Sequence, residues 1–262
     1  MCGAALQAIV RNPMADPYVL GISSGASVGA AFAVLVPTTI IGAHVALPLY
    51  AFGGALFASA LVLYLGSGSS QDTLRLILSG VVVGFALNSL TNFLVFASDN
   101  PDAARSVLFW LLGSMAAISW WSSMAALSTA ILCCLFLWLI ARVLDALAEG
   151  DESALSLGIN PTAARIVILA VISLAIAVVV AGAGAIGFIG LVIPHLARGI
   201  VGYSHRKLIP ACAFLGGAFL VLSDIVSRTL FAPAEIPIGV VTGIAGAPLL
   251  LWLIRSSWRQ RA

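Results

Sequence analysis

The chain is 262 residues long, 61% hydrophobic and only 8% charged, with a mean hydropathy of +1.14 and a formal net charge of +2. A soluble domain carries about 25% charged residues, which excludes an ordinary water-soluble globule, and so small a net charge gives no electrostatic basis for binding nucleic acid. The charged residues cluster between apolar runs. A hydrocarbon core ~30 Å thick needs about 20 mostly apolar residues per helix, so the pattern predicts repeated helical crossings of a bilayer. The long Leu/Ala/Val/Ile runs do not alternate as the ~10-residue strands of an outer-membrane barrel do.

In chain order, residues 1–10 are apolar but lack a basic n-region and are too short for a signal peptide or a span. They read as the last turns of a helix whose beginning is absent. Eight full spans are expected after them, at 19–36, 43–66, 75–97, 119–141, 162–182, 186–201, 208–230 and 237–255. A weakly apolar stretch, 101–113, is expected as a short helix lying at one surface. The predicted fold is all-α, a polytopic transmembrane helical bundle forming one domain over 1–262.

Small residues mark where helices meet. Gly21, Gly25 and Gly29 recur every fourth residue, as do Gly239, Gly243 and Ala247; this spacing lets two backbones approach closely and reads as packing. In the third span Gly80, Gly84, Asn88 and Asn92 form one stripe. An amide facing lipid is unfavourable, so the stripe is expected to face protein or water, either as a wall of a translocation pathway or as an interhelical hydrogen-bond seam. Asp224 and Arg228, four apart, are spaced to pair. Cys2, Cys133, Cys134 and Cys212 show no metal-ligand spacing and read as small buried hydrophobes. His44, His195 and His205 are scattered, and His195, at an expected helix end, reads as capping or packing rather than metal binding. No metal site and no catalytic cluster is expected.

One polar stretch stands apart. Residues 143–161 hold Asp145, Glu149, Asp151 and Glu152, four of the ten acidic residues, and Gly150, Gly158 and Pro161 divide the stretch into two short helical pieces. It is either a solvated loop or a docking surface, with Ala154, Leu155 and Leu157 supplying an apolar face. With eight spans, ten of the twelve Lys and Arg fall on one side, leaving only Arg105 and Arg228 on the other. The positive-inside rule then places both termini in the cytoplasm.

Three stretches resemble the FecCD family of ABC importer permeases, which includes siderophore, haem and cobalamin permeases: RNPMADPYVLGISSGASVG from Arg11, GAIGFIGLVIPHLAR from Gly184, and DIVSR followed by AEIPIGVVTGIAGAPLLLWLI from Asp224. The resemblance runs over nearly the whole chain and is close to cobalamin importer permeases in the last third. It implies a multi-pass protein of the bacterial inner membrane, working as a homodimer with two cytoplasmic ATPase subunits and a periplasmic or extracellular substrate-binding protein. It also implies that the family's first span and most of its second are missing here.

By the same resemblance, 143–161 is the coupling loop, with Ala154, Leu155, Ser156, Leu157 and Gly158 seated on the ATPase. The cytoplasmic gate falls on Asp72, Thr73 and Leu74, although Asp72 and Leu74 depart from the small hydroxyl residues of the cobalamin relatives. Gly80, Gly84, Asn88 and Asn92 become pathway residues, and Arg228, with Arg105, becomes a docking site for the binding protein. The chain has no GxxxxGK[ST] loop, so ATP and Mg are expected only on the partner and no cofactor here. Iron(III)–siderophore is the expected cargo, with haem or cobalamin as alternatives. An ion-coupled secondary transporter is the rival from another class, but only Asp224 approaches the mid-span ionisable relay such a protein needs.

Overall fold

The structure, a computed structural model, describes residues 1–35, 43–66, 73–98, 101–116 and 118–259. Among them lie twelve α-helices: α1 Cys2–Val10, α2 Ile22–Leu35, α3 Ala43–Gly66, α4 Thr73–Phe96, α5 Pro101–Leu111, α6 Trp120–Leu139, α7 Ala141–Glu149, α8 Asp151–Ser156, α9 Pro161–Ala183, α10 Ile189–Val201, α11 His205–Thr229 and α12 Ile238–Arg259. A single 3₁₀ turn, Pro17–Leu20, precedes α2.

Five helices are long and apolar enough to cross a membrane: Val45–Gly66, Leu74–Phe96, Trp120–Leu139, Pro161–Ala183 and His205–Thr229. The expected spans at 19–36 and 186–201, which already look short in the sequence, are shorter still. The helices there, α2 and α10, have only 14 and 13 residues, which at 1.5 Å per residue is about 20 Å, well under a core of ~30 Å. The physical reason lies just ahead of each. Gly21 turns left-handed with φ 71° after the 3₁₀ turn, and Gly184 (φ 74°) and Phe188 (φ 69°) keep 184–188 out of helix. His195 consequently lies inside α10 rather than at its end, because the helix continues through Pro194 to Val201.

Non-helical backbone at membrane depth is tolerated only where protein satisfies its polar groups. Here the two interrupted segments satisfy each other. The Tyr18 hydroxyl donates to the Ile186 carbonyl and accepts from the Ile186 N–H, both at 2.9 Å. Asp16 accepts from the Tyr18 N–H at 2.9 Å, fixing the 3₁₀ turn. Beyond them, Ser114 N–H donates to Ala183 O, and the first N–H groups of α12 donate to Gly113 and Leu112. Segments 112–114, 183–186 and 236–239 therefore gather at one end of the bundle.

The contact between α2 and α3 is built from small residues. Gly25 and Gly29 of α2 lie against Gly54 and Tyr50 of α3 so closely that a Cβ added at Gly29 would sit 2.0 Å from the Tyr50 carbonyl oxygen and one at Gly25 2.2 Å from that of Gly54. The glycine rows are thus contact surfaces, as their spacing implied. Helix α1 is buried from Gly3 to Val10 and packs against α7, α9, α10 and α11, as an all-round apolar helix must.

Two expectations follow. Gly29→Val should destabilise the detergent-solubilised protein by at least ~1–3 kcal/mol, the usual cost of overpacking, while Gly53→Ala, which meets nothing within 4 Å, should not lower its thermal midpoint, since alanine favours helix over glycine. Tyr18→Phe should cost ~1–3 kcal/mol for each polar group of Ile186 left unpaired, read by the same thermal scan.

Candidate coupling elbow and transport surfaces

The residues between α6 and α9 fold into an elbow, and each turn of it has a local cause. Helix α7 is amphipathic, burying Ala141, Leu144, Ala146 and Leu147. It stops at Gly150, whose φ of 143° few other residues adopt. The six-residue α8 carries Asp151 and Glu152 in its first turn. It ends in a Schellman motif: Ile159 N–H bonds to Ala154 O, Gly158 N–H bonds to Leu155 O, and Gly158 supplies the left-handed φ of 74°. Asn160 then caps α9 by accepting from the Ala163 N–H at 3.1 Å, with Pro161 in the first turn.

This geometry sorts the five expected coupling residues. Ala154 is 0% exposed and anchors α8, whereas Leu155 and Leu157 are 60% and 67% exposed. Ser156 and Gly158 are exposed with them. Two leucines are thus held outward on a polar elbow.

The elbow is fastened by charge. Arg165, near the start of α9, grips Asp151 bidentately, with Nη2–Oδ1 2.5 Å and Nη1–Oδ2 3.1 Å. Its Nε donates to the Ile9 carbonyl in the last turn of α1 at 3.2 Å. Arg11 lies 3.9 Å from the same carboxylate. The bonded Arg165 guanidinium holds the Asp151 carboxyl below the usual carboxylate range. On α7, Asp145 accepts from both the backbone N–H (2.9 Å) and Nδ1 (2.6 Å) of His205. These contacts gather the C-terminus of α1 and the N-termini of α9 and α11 at the elbow end. Sequence reading missed Arg165 and His205. The signal for Arg165 was a cation at the fifth residue of an otherwise apolar span.

The remaining expected residues are dispersed. Of the gate residues, Asp72 lies outside the described residues, Thr73 begins α4, and Leu74 is exposed. The α4 stripe changes environment along its length. Gly80 is buried, a Cβ at Gly84 would sit 3.6 Å from Ser24 Oγ of α2, and Asn88 and Asn92 are exposed. Around the two amides, Phe85, Phe93 and Phe96 are exposed too. At the far end, Arg228 pairs with Asp224 at 2.8 Å, and Arg105 stacks over Phe109 at 5.6 Å. Both arginines remain exposed. The same end holds a cavity of about 500 Å³ bordered by Phe109, Trp110, Ser114, Ser119, Ser122 and Glu235, which no motif announced.

Known proteins share this fold. The chain is 40% identical over 254 residues to a cobalamin import system permease protein, BtuC, of Halobacterium salinarum, an alignment covering 97% of this chain and 67% of that one. It is 38% identical over 252 residues to a Helicobacter pylori protein described as an iron chelatin transport system permease, covering 96% and 75%. In structure it matches a transporter described as of the metal-chelate ABC type, in an inward-facing conformation, with a TM-score of 0.87 at 32% identity, covering 97% of this chain and 80% of that one. The model of the FecCD transport family matches residues 1–256. Stitched half-helices, glycine-lined contacts and a braced acidic elbow are thus this chain's version of a known membrane architecture, and the chain belongs to the FecCD transport family.

Proposed function

We propose that the chain is the membrane permease subunit of an ATP-driven importer for iron(III)–siderophore complexes, paired with a second copy of itself to form the translocation pathway. The observation that carries this reading is the elbow. Leu155 and Leu157 stand exposed on a short helix whose other side is locked into the bundle. Exposed apolar side chains on a fastened polar loop suit a protein partner better than water or lipid. Two cytoplasmic ATPase subunits would grip the two elbows and supply ATP and Mg, so the permease itself needs neither and is not an enzyme.

Orientation follows from charge. The elbow end carries Arg11, Arg142, Arg165, Arg206 and Lys207, which favours the cytoplasmic face of a bacterial inner membrane and puts both termini there. The opposite end, with Arg105 and Arg228, then faces the substrate-binding protein, and exposed arginines would steer an acidic partner to its seat. By likeness to the family, Thr73 and Leu74 at the start of α4 would form the cytoplasmic gate together with Asp72. Asn88 and Asn92 are exposed in a single copy, and an amide is costly in hydrocarbon; a second copy around a water-filled path, lined by the Gly80–Gly84–Asn88–Asn92 stripe, would relieve that cost.

The iron chelate is favoured by the structural likeness to a metal-chelate type transporter. Relatives at 40% and 38% identity are named for cobalamin and for an iron chelate, so cobalamin or haem remains the second reading. Family membership weighs against an ion-coupled secondary transporter.

Leu155→Asp combined with Leu157→Asp should abolish co-purification of the ATPase while leaving membrane insertion intact; an unchanged complex would refute the seat. A cysteine placed at Ser153 should react with a membrane-impermeant maleimide in inverted vesicles but not in intact cells, and the opposite pattern would reverse the topology. Proteoliposomes holding the complete importer and ATP should accumulate a ferric trihydroxamate chelate but not cyanocobalamin; the reverse preference would move the assignment to cobalamin.

A further inference from the structure

Of the four acidic residues on the elbow, Glu149 and Glu152 are exposed and form no ion pair among the described residues. Asp145 and Asp151 do something different: each is bound at the terminus of a helix belonging to the membrane bundle. Asp145 reaches across from α7 to bind the backbone N–H of the first residue of α11. It takes the place of a local cap, because the Ser204 side chain makes no capping bond, and a carboxylate is favoured at that end of the helix dipole. The same oxygen holds His205 Nδ1, and His205 is buried at 4% exposure.

Asp151 works through Arg165. The guanidinium is engaged on two sides: its fork takes the carboxylate, and its Nε takes the terminal-turn carbonyl of Ile9. A bidentate fork fixes direction as well as distance. The first residue of α8 is thereby tied to the start of α9 and the end of α1 at once. Gly150 is the joint between the two attachments, and Ala154 wedges α8 from beneath. A push on Leu155 or Leu157 cannot displace α8 without moving the ends of α1 and α9, nor displace α7 without moving α11.

We propose that Asp151–Arg165 and Asp145–His205 are two struts that carry elbow movement into the membrane helices, with all four as positioning residues for transport rather than residues that touch cargo or ATP. The inference rests on the elbow being the ATPase seat. It adds that the seat drives α1 and α9 through one strut and α11 through the other, and that side-chain bonds, not the loop backbone, transmit the stroke. Energetic coupling of this kind requires a contiguous physical connection biased by the partner.

The test uses the complete importer in proteoliposomes, with nitroxides on Glu152→Cys in α8 and Val167→Cys in α9, both exposed positions. Distances are measured without nucleotide and after trapping with ATP and vanadate. With the strut intact, the 152–167 distance should stay single and unchanged between the two states. In Asp151→Asn and in the milder Arg165→Lys it should shift and broaden on trapping, while the ATPase still co-purifies and hydrolyses ATP. Asp151→Glu, which keeps the carboxylate, should retain the parent distribution. If Arg165→Lys behaves as the parent, the strut is wrong even should Asp151→Asn fail to fold. If the paired leucine-to-aspartate change leaves the ATPase bound, the seat itself is wrong; if that change releases the ATPase yet Arg165→Lys keeps the parent distance, only the strut falls.

Discussion

Inside a bilayer no water completes the hydrogen bonds of an interrupted helix, and each open backbone group costs several kcal/mol. Two of the apolar segments in this chain are interrupted, before α2 and before α10. The fold holds because the interruptions meet: Tyr18 closes both polar groups of Ile186, and Asp16 holds the turn that presents Tyr18. From that junction α2 runs against α3 with glycine touching backbone. This contact leaves the long helices α4 and α6 displaying broad apolar faces outward.

The elbow obeys the opposite solvent. Its backbone is closed by capping at Gly158 and Asn160, and two of its four carboxylates, Asp145 and Asp151, are bound at helix ends. Rigidity at the elbow and bareness at Leu155 and Leu157 belong together, since an apolar seat that flexed would lose its orientation when a partner loaded it. The opposite end is softer in chemistry. Its arginines are exposed at the surface, and a cavity of about 500 Å³ opens between α3, α5, α6 and α9.

Much of this was legible in the sequence, for identifiable reasons. Helices α3, α4, α6, α9 and α11 follow from length and apolarity alone, and their bounds differ by only a few residues from expectation. The two-part elbow was readable because Gly150, Gly158 and Pro161 have local, one-residue causes. That the segments at 19–36 and 186–201 are short was readable from their length; that α2 and α10 begin only at Ile22 and Ile189 was not. Apolar composition continues unbroken through 184–188, and only the tertiary bonds from Tyr18 make extended backbone there acceptable. For the same reason the partnership of Asp145 with His205, sixty positions apart, left no periodic trace. The α4 stripe was readable as polar but not as divided: Gly80 is buried and Gly84 lies near Ser24 of α2, while Asn88 and Asn92 are exposed.

Two surfaces of opposite character at opposite ends of one bundle define a polarity, and the account stands on which partner meets which end. The most direct measurement places a photocrosslinking residue at Leu157 and, separately, at Arg228 in native membranes, and identifies each adduct. The account predicts that position 157 captures the ATPase and position 228 the substrate-binding protein. An ATPase adduct at 228, with none at 157, would contradict it.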